Sequence, residues 1–388
     1  MTLDNVIGVL PYQEIKQLVE QSIVKSEHKI PDSQIQASSL DLRLTSQAWI
    51  VPKGFRPKFG KTVKDSLVEI SAKEINADKK VLFPSPHNRG LAYLFMVDES
   101  LSLPVELSGH ANPKSSAGRI DLDTRLIADG VPEYDEIPNG YSGALYTLVE
   151  PQFFPILFSA QESLNQIRFY KGARSDIELT NTSLIREYKK YNMFFDKEGK
   201  PVPLSSIPDY RIRRGLTLTI DLSDEIVAWQ AKPTVDPIDI GKKGELNPWD
   251  YFKPIYRKDL ENDQLLLIPG EFYLTSTKEL VRVPSGLCAE MEAYTKEAGD
   301  VLTHEAGFFD EGFGFGKNGE VLGASAVLEQ RAVRPTAYHD GQIVAKLVFE
   351  YMRNFSEKPY GVGSNYQGQR GIKFAKWFKF PPALDEKA

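Results

Sequence analysis

Short runs in which apolar or β-branched residues alternate with polar ones recur along most of the chain, separated by Pro, Gly, Asn and Asp. Such runs predict β-strands, and many short strands between turns are typical of a sandwich or a barrel. In the first half they are LDLRL at 40–44, QAWIV at 47–51, AYLFMV at 92–97 and ALYTLV at 144–149. In the second half they are GLTLTIDLS at 215–223, EIVAWQ at 225–230, QLLLIPGEFYLTST at 264–277, SAVLEQ at 325–330 and GQIVAKLVFEYM at 341–352.

The segment from Pro11 to Lys25 has a different period. Its apolar residues share one helical face, which predicts a single amphipathic helix near the N-terminus. These residues are Ile15, Leu18, Val19, Ile23 and Val24.

The strand pattern is interrupted between about Arg186 and Pro208, where the sequence becomes charged and proline-containing. This composition is typical of a connection between domains. A chain of 388 residues also exceeds what one hydrophobic core usually serves. We therefore predict two domains, residues 1–205 and 206–388.

The two predicted domains follow a similar rhythm, which indicates an internal repeat. DESLSLPVELSGHANPKSS at 98–116 corresponds to TKELVRVPSGLCAEMEAYTK at 277–296, and SSLDLRL at 38–44 corresponds to GLTLTIDL at 215–222. Each member of the first pair contains a strand, a proline, a leucine and then a polar loop.

Charge and cysteine content narrow the function. A net charge of -6 and a pI near 5.6 argue against a partner that is a polymeric nucleic acid. The single cysteine, Cys288, cannot form an internal disulfide, which favours a reducing compartment. Because neither a signal peptide nor a run of about eighteen apolar residues is found, we expect a cytoplasmic protein without a membrane partner.

Four segments together resemble the dCTP deaminase family, which shares its fold with trimeric dUTPases. They are IQASSLDLRL ending at Leu44, LSGHANPKSSAGR at 107–119, GFFDEGFGFG followed by ASAVLEQR at 324–331, and NYQGQRG at 365–371. The long, two-domain branch of the family is the most similar. The resemblance implies a mainly β protein with two tandem dUTPase-like β-barrel or sandwich domains after the N-terminal helix.

The resemblance also implies a set of substrate-binding residues. The loop at 107–119 is similar to the family's phosphate-binding loop, and hydroxyls with cations suit a triphosphate. Taken without the family, the same loop would be an ordinary polar turn, and NYQGQRG would be a solvated tail rather than a lid. The expected binding residues are Lys114, Ser115, Ser116, Arg119, His304, Asp310, Tyr366, Gln367 and Gln369.

Two of these residues have open alternatives. Asp310 matches the aspartate that dUTPase relatives place near the deoxyribose, but it could fix the hairpin or contact the 3'-hydroxyl. His304 could contact the base or be structural. The glycines at 312, 314 and 316 form a β-turn rather than a nucleotide loop, because GFGFGKNG lacks the lysine-hydroxyl ending of a P-loop.

The resemblance assigns Glu329 as the catalytic carboxylate, which would activate water for attack at C4 of cytosine. Its position in the apolar run AVLEQ suggests partial burial, which would raise its pKa and suit alternating acid and base roles. An exposed strand position is the alternative. One cysteine cannot supply the thiolate pair of zinc deaminases, so we expect no zinc and no metal ligand from the protein. Mg²⁺ would arrive chelated by the triphosphate.

The family motifs are divided between the halves. In the first half Leu148 falls where the glutamate is expected, and in the second half EAYTKEAGD lacks the Ser-Ser-Arg set. The halves together supply one complete site, built within one chain or between two. Glu150 lies two residues beyond Leu148, so a small shift in alignment would restore a carboxylate to the first half.

The expected activity is that of a dCTP deaminase, a hydrolase acting on a cyclic amidine C–N bond and producing dUTP for nucleotide metabolism. A dUTPase or a bifunctional dCTP deaminase and dUTP diphosphatase is the first alternative. A non-catalytic nucleotide-binding protein is the second. The expected partners are dCTP and dUTP, and a homo-oligomer is expected.

Overall fold

Strands dominate the computed structural model, which describes residues 5–84, 90–294, 301–303, 307–315, 319–361 and 364–379. This confirms the predicted mainly β fold. In the first half the strands are β1 (Gly8–Val9), β2 (Val24–Ser26), β3 (Leu40–Pro52), β4 (Lys73–Asn76), β5 (Val81–Phe83), β6 (Leu91–Ser102), β7 (Leu107–Pro113), β8 (Leu122–Ala128), β9 (Glu136–Ile137), β10 (Ser142–Pro151), β11 (Ile156–Phe158) and β12 (Ser163–Lys171).

The strands of the second half are β13 (Phe194–Phe195), β14 (Leu216–Thr219), β15 (Ile226–Ala231), β16 (Ile238–Asp239), β17 (Phe252–Tyr256), β18 (Gln264–Leu267), β19 (Phe272–Val281), β20 (Leu287–Ala293), β21 (Val301–Thr303), β22 (Phe308–Phe309), β23 (Ala324–Ala332), β24 (Thr336–His339) and β25 (Ile343–Tyr351). The α-helices are α1 (Tyr12–Glu20), α2 (Val63–Glu69), α3 (Ser115–Gly118), α4 (Arg174–Ile177), α5 (Asn181–Tyr191) and α6 (Pro248–Tyr251). Single 3-10 turns lie at Asp32–Gln34, Leu204–Ser206, Asp209–Arg211 and Arg257–Asp259.

The first domain is built on one antiparallel sheet in the order β8-β10-β6-β3-β12-β7-β9. Strand β7 also packs beside β8, so the sheet nearly closes into a barrel. Alternate residues of these strands point inward, and Leu42, Phe95 and Ile167 form part of a fully buried core.

The second domain is a sandwich. One sheet has the order β17-β15-β19-β23-β21 and the other β14-β25-β20-β22. Leu218, Leu287, Leu328 and Leu347 fill the core between them. The predicted strand 264–277 is divided into β18 and β19 around Pro269 and Gly270, because proline cannot donate to a ladder.

The two domains repeat the same strand arrangement. Strand β10 lies between β6 and β8, as β23 lies between β19 and β21. Strand β12 lies between β7 and β3, as β25 lies between β20 and β14. The predicted tandem fold is therefore confirmed.

The N-terminal helix is shorter than the sequence predicts. It ends at Glu20, and Val24 begins a strand that pairs with Leu101. Ser22 adopts a left-handed conformation with φ 57°, which prevents the helix from continuing. Ile15 and Leu18 are the fully buried residues on the apolar face of the helix. Among the helices described, none is long and apolar enough to cross a membrane.

The segment expected to connect the domains packs against the second core. Leu184 and Tyr188 of α5, together with Phe194, are buried there. Their apolar side chains are interspersed with the charges that suggested a linker. The boundary near residue 205 stays a prediction.

The domains also share apolar contacts. Phe154 of the first domain packs edge-on against Tyr251 and Phe252, with ring centroids 5.9 and 5.3 Å apart. Trp377 is fully buried in the same cluster, which contains residues of both domains. This continuous packing fixes the residues that the two domains bring to the site.

Candidate active site

The predicted phosphate loop forms one tight turn between two barrel strands. It follows β7, begins with Lys114, continues as the single-turn helix α3 and ends at Arg119 before β8. The N–H of Lys114 donates to the carbonyl of Leu164 on β12, which fixes the start of the turn. The Lys114 ammonium pairs with Asp41 of the opening strand motif.

Arg119 reaches across to the second domain and lies beside Glu329. Its Nε is 3.6 Å from Oε1 of Glu329, and the two residues are 3% and 1% exposed. Nη1 of Arg119 donates to the carbonyl of Lys373 at 2.6 Å, and the guanidinium stacks on the Tyr366 ring at 3.8 Å. These contacts hold the cation in place, and its charge offsets part of the cost of burying the carboxylate.

Glu329 lies on β23, directly opposite Leu274 of β19. The equivalent residue of the first domain is Leu148, which lies opposite Leu94 of β6. Leu94 and Leu274 each precede the proline of the repeated motif by the same number of residues. This register places Leu148, and not Glu150, at the position of Glu329.

Asp310 is held at the end of a short strand by groups from the first domain. Ser38 donates to its carboxylate, and Nη2 of Arg168 donates to Oδ1 at 3.1 Å. The preceding residues pair with β20, and the N–H of Gly307 donates to Oδ1 of Asn112 at 2.6 Å. Asp310 therefore both lines a cavity and joins the two domains.

The C-terminal segment lies over the loop. The hydroxyls of Tyr366 and Ser116 are 2.5 Å apart, and both residues are buried. Oε1 of Gln369 accepts from Arg119 at 3.3 Å, while its Nε2 donates to the carbonyl of Ser325. Tyr366 and Gln369, both predicted binding residues, therefore lie beside Ser116 and Arg119 of the loop.

Gln367 has a different position from the one expected. Its Oε1 accepts from the N–H of Gly314 at 2.9 Å, and its Nε2 donates to the carbonyl of Gly312 at 3.0 Å. Gly314 has φ +71°, and a Cβ there would lie 2.0 Å from the carbonyl oxygen of Val281. Gln367 therefore secures the lid to the glycine turn.

Two adjoining cavities meet at Ser115, Phe308 and Tyr366. The smaller, about 40 Å³, is bounded by Arg119 and by apolar side chains that include Phe309 and Val327. The larger, about 240 Å³, is bounded mainly by polar side chains: Lys114, Ser116, Asp41, Asp310, Asn365 and Lys376. An apolar compartment thus adjoins a charged one.

Nine of the ten predicted site residues lie within the described part of the chain. Seven of these line the two cavities. Glu329 lines neither cavity but contacts Arg119, and Gln367 is bonded to the glycine turn. The tenth, His304, lies outside the described residues.

Comparison with known proteins identifies the family of the chain. The family model for the 2'-deoxycytidine 5'-triphosphate deaminase N-terminal domain matches residues 6–173, and the model for its C-terminal domain matches residues 189–378. A crystal structure of 2'-deoxycytidine 5'-triphosphate deaminase from Agrobacterium tumefaciens superposes with a TM-score of 0.80 at 32% identity, covering 91% of this chain and 100% of that one. The chain belongs to the dCTP deaminase family.

Shorter relatives match part of the chain. A dUMP-forming dCTP deaminase from Methanosphaera stadtmanae is 32% identical over 151 residues, which are 37% of this chain and 69% of that protein. A dCTP deaminase from Natronomonas pharaonis is 32% identical over 115 residues, which are 29% of this chain and 55% of that protein. The chain thus aligns with about half to two thirds of the length of these deaminases.

Sequence reasoning missed the buried charges that support this deaminase site. Arg168 of β12 is fully buried, donates to the carbonyl of Ala289 at 3.1 Å and to Oε2 of Glu350 at 3.4 Å, and stacks on Phe308 at 3.9 Å. Its position in the apolar run IRFY was the available signal, because a charge among buried residue types requires a partner.

A histidine extends the same network. His110 lies between the carboxylates of Glu136 and Glu290, at 2.8 and 3.3 Å. Burial lowers the pKa of His110, but Glu290 and Glu136 outweigh burial and raise that pKa to about 10. Burial raises the pKa of Glu290, and His110 outweighs it, which lowers the pKa to about 2. These charges therefore join β7 to β20 across the domain boundary.

Proposed function

We propose that the chain hydrolyses dCTP to dUTP and ammonia at this composite site. The observation that carries the proposal is the approach of Arg119, from the first-domain loop, to Glu329, on a second-domain strand, at 3.6 Å within one chain. Each half lacks one of these two groups at the equivalent position. The site supplies both beside a cavity.

The two cavities suit the two ends of the nucleotide. The smaller, largely apolar cavity is lined by Arg119, which contacts Glu329, and it would receive an edge of the flat cytosine ring. The larger cavity presents the Lys114 ammonium and the Ser116 hydroxyl to the phosphates. Asp310 borders the larger cavity near Phe308, where it can accept a hydrogen bond from the 3'-hydroxyl.

In the proposed reaction Glu329 acts as both base and acid. Its carboxylate removes a proton from water as the oxygen bonds to C4, and the proton passes to N3 of the ring. A second proton transfer through Glu329 converts the 4-amino group into ammonia as the C4–N bond breaks. Arg119 holds the carboxylate in position through both transfers.

We also propose that the reaction needs no zinc. Zinc deaminases use two thiolates, whereas this sequence contains only Cys288, which is fully buried with Sγ 3.9 Å from Glu350. In the part of the chain that the structure describes, no three His, Cys, Asp or Glu side chains are grouped as metal ligands. Magnesium enters with the triphosphate, as part of the substrate.

The test is incubation of the purified protein with dCTP and Mg²⁺, followed by chromatography of the nucleotides and an ammonia assay. Stoichiometric dUTP and ammonia are expected. Activity should survive removal of zinc by a chelator and fall when magnesium is withdrawn. Tight binding of dCTP with no ammonia release would instead identify a non-catalytic nucleotide-binding protein.

A second product is favoured by one observation. Some matching relatives, including those from Methanosphaera stadtmanae and Clavibacter michiganensis subsp. michiganensis, are named dUMP-forming. Asp310, which faces the polar cavity, is the group that would serve a diphosphatase step on dUTP. Appearance of dUMP and pyrophosphate in the same chromatogram would establish the bifunctional reaction.

A further inference from the structure

Lys376, in the segment that follows the lid, presents its ammonium to the polar cavity. It lines the same space as Lys114, Ser116 and Asn365. Its side chain is 21% exposed, and its paired carboxylate, Glu162, is 4.0 Å from Nζ. The predicted phosphate-binding set came from the loop at 107–119 and did not include this lysine.

Both carboxylates on the wall of this cavity are paired with cations, Asp41 with Lys114 and Asp310 with Arg168. Lys376 makes longer contacts, with Nζ 4.0 Å from the carboxylate of Glu162 and 5.3 Å from the ring centroid of Trp377. Burial lowers the pKa of Lys376, and the nearby Lys114 lowers it further. Two ammonium groups that face one cavity repel each other until a ligand of opposite charge lies between them.

The backbone on either side of Lys376 is firmly anchored. Phe374, Ala375, Trp377 and Phe378 are all buried, and Phe374 and Phe378 pack against Phe252 with ring centroids 5.0 and 5.8 Å apart. The N–H of Gly244 donates to the carbonyl of Lys376 at 3.0 Å. The backbone that carries the ammonium is therefore held in place before a ligand binds, which reduces the conformational entropy lost on binding.

The same backbone is joined to the lid. The backbone of Lys376 lies near the hydroxyl of Tyr366 and lowers the pKa of that hydroxyl, which also contacts the Ser116 hydroxyl at 2.5 Å. The lid tyrosine, the loop serine and Lys376 thus meet at one point on the wall of the polar cavity.

We propose that Lys376 is a triphosphate-binding residue, contributed by the C-terminal segment to the wall of the polar cavity beside the loop. This inference rests on the proposed function and adds a determinant of specificity to it. An ammonium on a flexible stem can donate to the oxygens of the outer phosphates, which a nucleoside monophosphate lacks. Lys376 therefore selects triphosphates over monophosphates.

The test compares Lys376→Met, Lys376→Arg and Lys379→Met, each in a Glu329→Gln background that prevents turnover. Lys379 is exposed and lies on the same segment, so its replacement is the matched control. Titration calorimetry with dCTP and with dCMP, both in Mg²⁺, gives the dissociation constants. Thermal midpoints show whether each variant is folded.

Lys376→Met should weaken dCTP binding about ten- to a hundredfold, the scale of one charge-assisted contact, and leave dCMP binding within about twofold. Lys376→Arg should restore most of the dCTP affinity, and Lys379→Met should change neither ligand. Should Lys376→Met fail to fold, Lys376→Arg and Lys376→Gln are compared instead, with the tenfold loss expected for glutamine alone.

Equal weakening of dCTP and dCMP, or no weakening of either, would overturn the assignment of Lys376. If the parent protein releases ammonia from dCTP and the Lys376 variants bind normally, only this inference fails. If the parent neither binds dCTP nor releases ammonia, the proposed function fails with it.

Discussion

Strands β10 and β23 occupy equivalent positions in the two domains, yet one is packed for stability and the other carries a charge. Leu148 is 1% exposed and lies in a cluster with Trp49 and Tyr146. Glu329 is equally buried, but it faces Arg119. The same backbone position thus serves as apolar core in one copy and as a candidate reactive group in the other.

The two copies of the fold carry different parts of the candidate site. The first domain carries the predicted phosphate loop and the strand that bears Arg168, while the second carries Glu329 and the lid. The two sets of groups meet only where the domains are in contact, as Arg119 and Glu329 do. The buried charges that join the domains are therefore as important to the comparison as the two strands.

The largest expected effect comes from removing the charge that joins the domains. Arg168→Met leaves the buried Asp310 without this cation and leaves Glu350 with Arg174 alone of its two arginines, which should lower the free energy of unfolding by about 3–5 kcal/mol. Denaturant unfolding followed by fluorescence measures this change. Arg214→Met, whose side chain is 79% exposed, is the control and should change stability by less than about 0.5 kcal/mol.

The double variant Arg168→Met with Glu350→Met sharpens this result. Replacing both charges with apolar groups should recover part of the stability lost in the single variant, because no carboxylate is then stranded at that position. A loss in Arg168→Met no larger than that of the control would show that the domains do not depend on this charge.

The next effect tests the two strands directly. Glu329→Gln should retain the fold and bind dCTP but lower turnover by at least about a hundredfold, the scale of lost acid-base catalysis. Glu150→Gln should be nearly silent, since the register places Glu150 beyond the equivalent position and its Oε1 accepts from the N–H of Gly54 at 2.9 Å. Normal turnover by Glu329→Gln together with lost turnover in Glu150→Gln would show that the reactive carboxylate lies on β10 and not on β23.

A smaller effect concerns the pH dependence of the domain interface. The pKa of His110 is raised to about 10 in the fold, so its contribution to stability is complete below pH 6.5 and is lost as the pH rises towards 10. Between pH 7 and 10, the wild type should therefore lose on the order of 1–2 kcal/mol more than His110→Gln. Denaturant unfolding of both proteins across this range measures the difference. Parallel stability curves would show that the histidine is not charged in the fold.

The smallest expected effect is that mixing two inactive variants restores no deaminase activity. Arg119 and Glu329 meet within one chain, so combining inactive Arg119→Ala with inactive Glu329→Gln protein should leave every site with one defect. Activity should stay at the sum of the separate residual rates after subunits are allowed to exchange, as measured by ammonia release. A rise well above that sum would mean that the functional site forms between chains.

Local pattern was enough to predict most strands and their faces, because alternation directly reports which side of a sheet is buried. It extended the first helix to Val24, which has the helical spacing of Ile15 and Leu18 but pairs as a strand with Leu101. Phe194 shows the same limitation, because a buried contact to a distant sheet overrides the polar composition around it.

The site was predictable only as far as motif residues face the ligand space. Ser116, Asp310 and Tyr366, which the family resemblance names, line the larger cavity. Gln367 belongs to the same motif as Tyr366, but its side chain bonds to the glycine turn. The direction of that side chain depends on a backbone position that the sequence does not specify. Lys376 lies outside the quoted motif and reaches the cavity through folding of the tail.

The burial of Phe374 and Trp377 in a cluster that contains residues of both domains has a consequence for how the protein is made. N-terminal domains usually fold first as a chain emerges from the ribosome. Here Phe154 of the first domain packs against Phe252, and Phe374 covers Phe252 in turn. The shared cluster therefore stays open to water until these second-domain residues have been translated, and this interval is when nascent chains are most prone to associate with one another.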